Sequence, residues 1–330
     1  MKNIISALWL CLVVICGLPG CSKTPGNGPA SKTPTNSIPA ADTTNNLVEI
    51  KIKWSAGKKY YLQLETIQSW ENTLSKQQEP VKTTMGITHD YTVSVVKELA
   101  GGGRELELEF TAQKMFYQMG EIPVLNFDSA QSKDQDAANP VAPILRKLLG
   151  ARIRCFTDAN GKVTKLEGFS ELRARMTGNQ PETRATLEAM FNETNLKQMC
   201  DFVAALQPEE PVKIGDTWPV HLEMPDPVGL MVVNLNCTLK GWEPQDNRQC
   251  VRIEYQGEVS SQPAATSQTS PARIDDGTVS GKAWFDPNLG MLANSATEQH
   301  MTYETTGKGQ TTTTKFNMTI NFRLIRVTNG

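Results

Sequence analysis

The chain has 330 residues, with 33 Lys and Arg against 35 Asp and Glu and a formal net charge of -2. That length holds one large or two ordinary domains with a real core, and so even a charge balance gives no sign of a nucleic-acid footprint, which needs a basic excess on one face. Aromatic residues are sparse at 7%, but a hydrophobic content of 39% suits a globular body once a polar tail is set aside.

The N-terminus has the pattern of an export signal. Lys2 supplies a positive charge, and Ile4 to Leu18, "IISALWLCLVVICGL", is a 15-residue apolar run. A membrane-crossing helix needs about 20 such residues, so this run is short for one. Leu18-Pro19-Gly20-Cys21 follows. A leucine and a small residue before a cysteine resemble the lipobox of bacterial lipoproteins. The resemblance implies a signal peptide over 1–20, cleavage before Cys21, and lipidation of Cys21 by diacylglycerol and an N-acyl chain such as palmitate. The plainer alternative is an ordinary secretory signal with a chance cysteine. Residues 22–46 hold four prolines, no aromatic and one large aliphatic, Ile38. They cannot bury enough to offset the entropy of ordering, so 21–46 is expected to be a lipidated cysteine and a disordered tether reaching roughly 25–30 Å. Ser22, where the lipoprotein family's inner-membrane retention signal has Asp, implies an outer-membrane address facing the periplasm in a two-membrane host. The expected location is the cell envelope.

From Leu47 the dominant period is two. "YYLQLET" sets Tyr60, Leu62 and Leu64 on one face. "RELELEFTA" alternates Leu106, Leu108, Phe110 and Ala112 with Glu105, Glu107, Glu109 and Thr111. "FNMTINFRL" does the same with Phe316, Met318, Ile320, Phe322 and Leu324. Half-buried antiparallel strands carry this pattern; parallel sheets show continuous apolar runs instead. Turns are expected at Gly101-Gly102-Gly103, at Asn160-Gly161 and over 243–247, and Pro219 marks an edge strand or a bulge. Helices are few. Asn139-Pro140 opens a short one with Val141, Ile144, Leu145 and Leu148 on a stripe and Gly150 as a stop. Ser170 is expected to cap a second around Leu172 and Met176. A longer helical region over about 182–206 carries Leu196, Met199, Cys200 and Val203 at helical spacing, a stripe for packing on a sheet.

Three segments recur in the same order. "AGKKYYLQLE" (56–65) matches "IGDTWPVHLE" (214–223). "SVVKELAGGGRELELEF" matches "CTLKGWEPQDNRQCVRIEY", and "CFTDANGKVTKLEG" matches "WFDPNLGMLANSA". Hairpin-rich chains share such features by chance, but three in order point to a duplicated antiparallel unit. The expected division is 47–207 as a first β-rich repeat with helical insertions and 208–330 as a second. The expected fold is mainly β (α+β), with long antiparallel strands in a half-barrel-like sheet and a few covering helices.

The strand beginning G-x-x-W/Y, the "GKVTKLEG" hairpin and "PVKIGDTW" resemble an uncharacterised family of bacterial lipoproteins, over roughly residues 48–327. That resemblance implies no activity and no site residues. More distantly, long strands curled around helices are similar to the half-barrels of lipoprotein-carrier (Lol) proteins, a likeness of fold alone.

Chemistry is thin. His89, His221 and His300 have no ligand spacing, and His221 shares parity with Glu223, toward solvent. No nucleophile elbow, phosphate loop or dinucleotide fingerprint occurs. "DANGK" (158–162) and "FDPNLG" (285–290) are expected as turns rather than cation sites. The Glu105/Glu107/Glu109 row is expected to be a solvated face. Cys237 and Cys250 fall on opposite strand faces, which disfavours a bridge; Cys155 and Cys200 are left either bridged or as buried thiols. No catalytic, cofactor-binding or metal residue is assigned, and no enzyme activity, cofactor or nucleic-acid partner is expected. The sequence points to a monomeric, membrane-anchored lipoprotein that binds an apolar ligand or lipid. The alternative is a structural module that binds another envelope protein.

Overall fold

A computed structural model describes residues 47–74, 79–139, 141–177, 193, 197, 204–226, 229–263, 273–307 and 310–330. The expected signal segment, Cys21, the expected tether, Cys200 and most of the expected 182–206 helix lie outside the described residues.

The period-two segments form strands β1 (Lys58–Leu74), β2 (Val81–Glu98), β3 (Arg104–Met119), β4 (Ile122–Asp128), β5 (Arg152–Thr157) and β6 (Val163–Glu167). After these come β7 (Thr217–Asp226), β8 (Gly229–Gln245), β9 (Arg248–Pro263), β10 (Arg273–Asp286), β11 (Met291–Gly307) and β12 (Gln310–Asn329). Two short helices are described, α1 (Ala142–Leu148) and α2 (Phe169–Thr177). All twelve strands belong to one sheet in the order β6-β5-β3-β2-β1-β12-β11-β10-β9-β8-β7, with β4 paired to β3 off this path. Every pairing is antiparallel. The sheet stays open, with β6 and β7 at its edges. Pro219 accordingly sits on an edge strand, where its missing N–H costs no ladder bond.

Two meanders run side by side in the same direction. One is β1-β2-β3-β5-β6 and the other β7-β8-β9-β10-β11, and β12 lies between them, paired to β1 and β11. The inner face is the core. Tyr60, Leu62, Leu64, Phe316, Met318, Ile320 and Leu324 are buried on it, as the alternation required. α1 buries Ala142, Leu145 and Leu148, and α2 buries Leu172 and Met176, in the same apolar cluster. An extended segment closes one end. Val48 pairs with Val212, the Ile52 N–H donates to Gln207 Oε1 at 2.7 Å, and the Lys53 N–H donates to the Gly290 carbonyl at 2.8 Å.

Three details differ from the sequence reading. A register shift between Asp90 and Tyr91 moves the phase of β3, so Gln113, not Ala112, takes the next inward place after Phe110. A β-bulge adds one residue to one strand, which period-two counting cannot foresee. Residues 243–245 belong to β8, and the turn is only Asp246-Asn247, both at positive φ (45° and 65°) as a tight hairpin requires. α2 begins at Phe169, which places Ser170 inside the helix rather than at its cap.

Candidate functional site

The inner face is read level by level across the strands. One level runs Tyr117, Met85, Gln68, Met318, Gln299, Val279, Gly257, Leu235 and Val220, each directly opposite the next. The level beside it continues through Thr83, Trp70, Phe316 and Met301. Trp70 and Phe316 meet edge to face at 6.2 Å between centroids, and Tyr303 meets Phe316 at 6.3 Å. With Met115 opposite Ile87, the central strands β3, β2, β1, β12 and β11 thus carry a methionine and aromatic band.

Amides stand inside this band. Gln68, Gln113 and Gln299 are all at most 5% exposed. The Gln68 Nε2 donates to Met318 Sδ at 3.5 Å and the Gln299 Nε2 to Met301 Sδ at 3.2 Å; thioethers are weak acceptors. Gln113 Oε1 and Ser295 Oγ are enclosed without a hydrogen-bond partner. A buried polar atom left so costs about 1–3 kcal/mol. Sequence reasoning passed over these residues, although the parity was on view: Gln68 lies two residues from Trp70, and Gln299 two from Met301.

The Tyr255 ring lies across Gly281, where a Cβ would come within 2.4 Å of its hydroxyl, and that hydroxyl bonds Thr297 Oγ1 and donates to the Ala296 carbonyl at 3.3 Å. Burial holds the phenol fully protonated.

The three histidines stand apart. His89 points inward opposite Leu64 and Gln113, edge-on to Phe110 at 6.0 Å. Burial pushes its imidazole down to about 4. His221 is exposed, with Nδ1 at 2.7 Å from Asn234 Oδ1, and that contact and Glu223 raise its pKa. His300 meets Asn317 Oδ1 at 2.6 Å. Among the described residues no three His, Cys, Asp or Glu side chains gather as a metal cluster. Both Asp loops are turns: Asp158 Oδ1 accepts from the Asn160 and Lys162 N–H groups, and Asp286 Oδ1 accepts from those of Asn288 and Leu289. Cys155, Cys237 and Cys250 are buried free thiols. Cys237 sits in the inner core, whereas Cys250 packs with Trp284 and Ala293 on the outer face. Burial pushes both of these thiols up to about 12, which leaves them unreactive.

The glutamate row of β3 is closed by ion pairs. Glu105 meets Lys97 at 3.0 Å and Arg154 at 3.4 Å, and Arg152 meets Glu107 at 3.2 Å and Glu109 at 3.3 Å. Lys97 first and Arg154 after it hold the Glu105 carboxyl below its usual range. Among the described residues no helix is long and apolar enough to cross a membrane.

No curated protein matches the chain. Among solved structures, DynF from the dynemicin biosynthesis pathway of Micromonospora chersina shares 6% identity at a TM-score of 0.19, with 88% of this chain and 92% of that chain covered. A DUF1329 family protein from Desulfovibrio piger shares 10% at a TM-score of 0.13, with coverage of 80% and 85%. An outer membrane lipoprotein-sorting protein domain from Vibrio parahaemolyticus shares 11% at a TM-score of 0.11, with coverage of 80% and 84%. TM-scores this low carry no argument about this chain. A family model is different in kind, because it matches residues 102–292, more than half of the chain, and the chain therefore belongs to the family of unknown function DUF6263.

Proposed function

We propose that the protein is a non-catalytic, monomeric lipoprotein of the cell envelope, held to a membrane by lipidated Cys21, and that it binds an apolar ligand or lipid on the inner face of its sheet. The anchor reading is supported by the apolar run before Cys21 and the proline-rich stretch after it. The observation that carries the ligand reading is the band of Met85, Met115, Met301 and Met318 among Trp70, Tyr117 and Phe316. Methionines re-pack around varied apolar shapes at small cost. The enclosed Gln113 Oε1 and Ser295 Oγ would give a ligand's polar end two acceptors beside that band.

The duplication belongs to the same proposal, with 47–207 and 208–330 as its copies. It is supported by the two meanders of equal direction, and by Asp158 and Asp286, each of which accepts from the N–H two residues on in the turn after the fourth strand of its meander.

Two measurements test the proposal. Replacing Cys21 with Ser should move the protein from the membrane pellet to the soluble fraction; a variant that still pellets like the parent refutes the anchor. Solvent extracts of the soluble variant should contain lipid, and Met301→Glu should remove it while the far-ultraviolet dichroism is kept. Lipid-free extracts from folded protein refute the ligand reading.

A second reading, docking to another envelope protein, is favoured by Val81, Met119, Ile122 and Val124, which are exposed together at the β3–β4 hairpin and the neighbouring start of β2. Crosslinking in intact cells through Ile122→Cys should then capture one dominant partner.

A further inference from the structure

The outer face of β8, β9, β10 and β11 contains a cavity of about 510 Å³, within the roughly 300–1,000 Å³ of small-molecule sites. Its floor is polar and built by register. Asn236, Gln256, Ser280 and Glu298 stand in one row across the four strands, and Thr238, Glu254, Lys282 and Ala296 in the next. Glu254 is already neutralised, with Lys240 Nζ and Arg252 Nε each 3.6 Å from its carboxylate. Lys282 and Glu298 are exposed on diagonal places, and among the described residues neither is joined to another side chain by an ion pair or a hydrogen bond. The β3 row, by contrast, has its glutamates matched by Arg152 and Arg154 from β5.

We propose that this groove binds a small zwitterion, with an anionic group on Lys282 and an ammonium on Glu298, while the amides of Gln256 on the next strand and Asn236 beyond it bond the rest of the ligand. Lys282 stands directly opposite Glu254 and diagonal to Glu298, and pairing with either in solution is an exposed ion pair of little strength, so a ligand that fills both places displaces it. The chemistry fits two sources, a short peptide with free termini or an ethanolamine phospholipid headgroup. The site stands on the opposite face from the apolar band and depends on neither it nor Cys21.

Calorimetric titration of the full-length chain with trialanine, and separately with glycerophosphoethanolamine, tests this. One of the two should bind saturably and name the source, and N-acetyl-trialanine amide should not bind. Lys282→Met and Glu298→Gln should each weaken binding about tenfold or more at unchanged melting temperature, since a charge-assisted hydrogen bond is worth about 1.5–3 kcal/mol. The double exchange Lys282→Glu with Glu298→Lys should restore binding by turning the ligand round. Failure of both probes to bind, equal binding of the capped peptide, or wild-type affinity in both single variants overturns the proposal.

Discussion

The outer face over β3, β5 and β6 and the outer face over β8 to β11 are made from the same alternation but manage their charge in opposite ways. On the first, acidic β3 lies against basic β5, so the register itself sets Glu107 opposite Arg154 and Glu109 opposite Arg152, and the ladder closes. On the second, charges are spaced by Ser280, Ala296 and Thr238, and Lys282 and Glu298 fall on a diagonal. Equal alternation therefore does not make equal surfaces. One is an electrostatic seal, and the other is a groove with charge to offer. The second surface also has a small core of its own, Cys250, Trp284 and Ala293, beside the groove.

The sharpest way to break this comparison is to remove that small core. Trp284 is 9% exposed and donates Nε1–H to Glu243 Oε2 at 2.8 Å. Trp284→Ala should cost about 3–5 kcal/mol in urea unfolding, whereas Phe156→Ala, on the ladder side and only half-buried, should cost clearly less. Similar losses at the two sites would erase the distinction.

Acid unfolding comes next, and His89 must be separated from the ladder. The His89 pKa is depressed from 6.5 to about 4, so the unfolded chain takes up its proton first. Its contribution is present above 6.5 and is lost as pH falls toward 4, by up to about 3 kcal/mol. His89→Phe should flatten unfolding midpoints across that window; an unchanged slope would mean that the imidazole is not enclosed. The ladder acts lower. Glu105 and Glu167 are held below their usual 4.5, by Lys97 and by Lys165 first, so their contribution is present above 4.5 and lost as pH falls through the depressed values. Glu105→Gln should reduce the steepness below pH 4.5 without altering the higher window. The smallest effect belongs to the groove: Lys282→Met should leave stability within about 0.5 kcal/mol, because nothing in the fold leans on that ammonium. A larger loss would make Lys282 a structural residue.

Much of this was legible in the residues. Tyr60, Leu62 and Leu64 announced an inner face, Asp158 and Asn160 a turn, Pro219 an edge, and Cys237 and Cys250 opposite sides. The inner amides were legible in part, since Gln68 shares parity with Trp70. The bulge that exchanges Ala112 for Gln113 was not, because one extra residue leaves no mark in composition. The groove was not legible either: Lys240, Glu254, Lys282 and Glu298 come from four strands, and no single strand shows which of them become neighbours.

The sequence by itself determined that the body is antiparallel β, which residues face the core, and where the hairpins turn, since side-chain alternation and positive-φ turns are local properties of the chain. Only the tertiary structure decided that β12 joins the two meanders, that the β3 glutamates meet arginines, and that Lys282 and Glu298 do not meet each other. Those outcomes depend on register between distant strands, which is fixed by how the whole inner face packs at once.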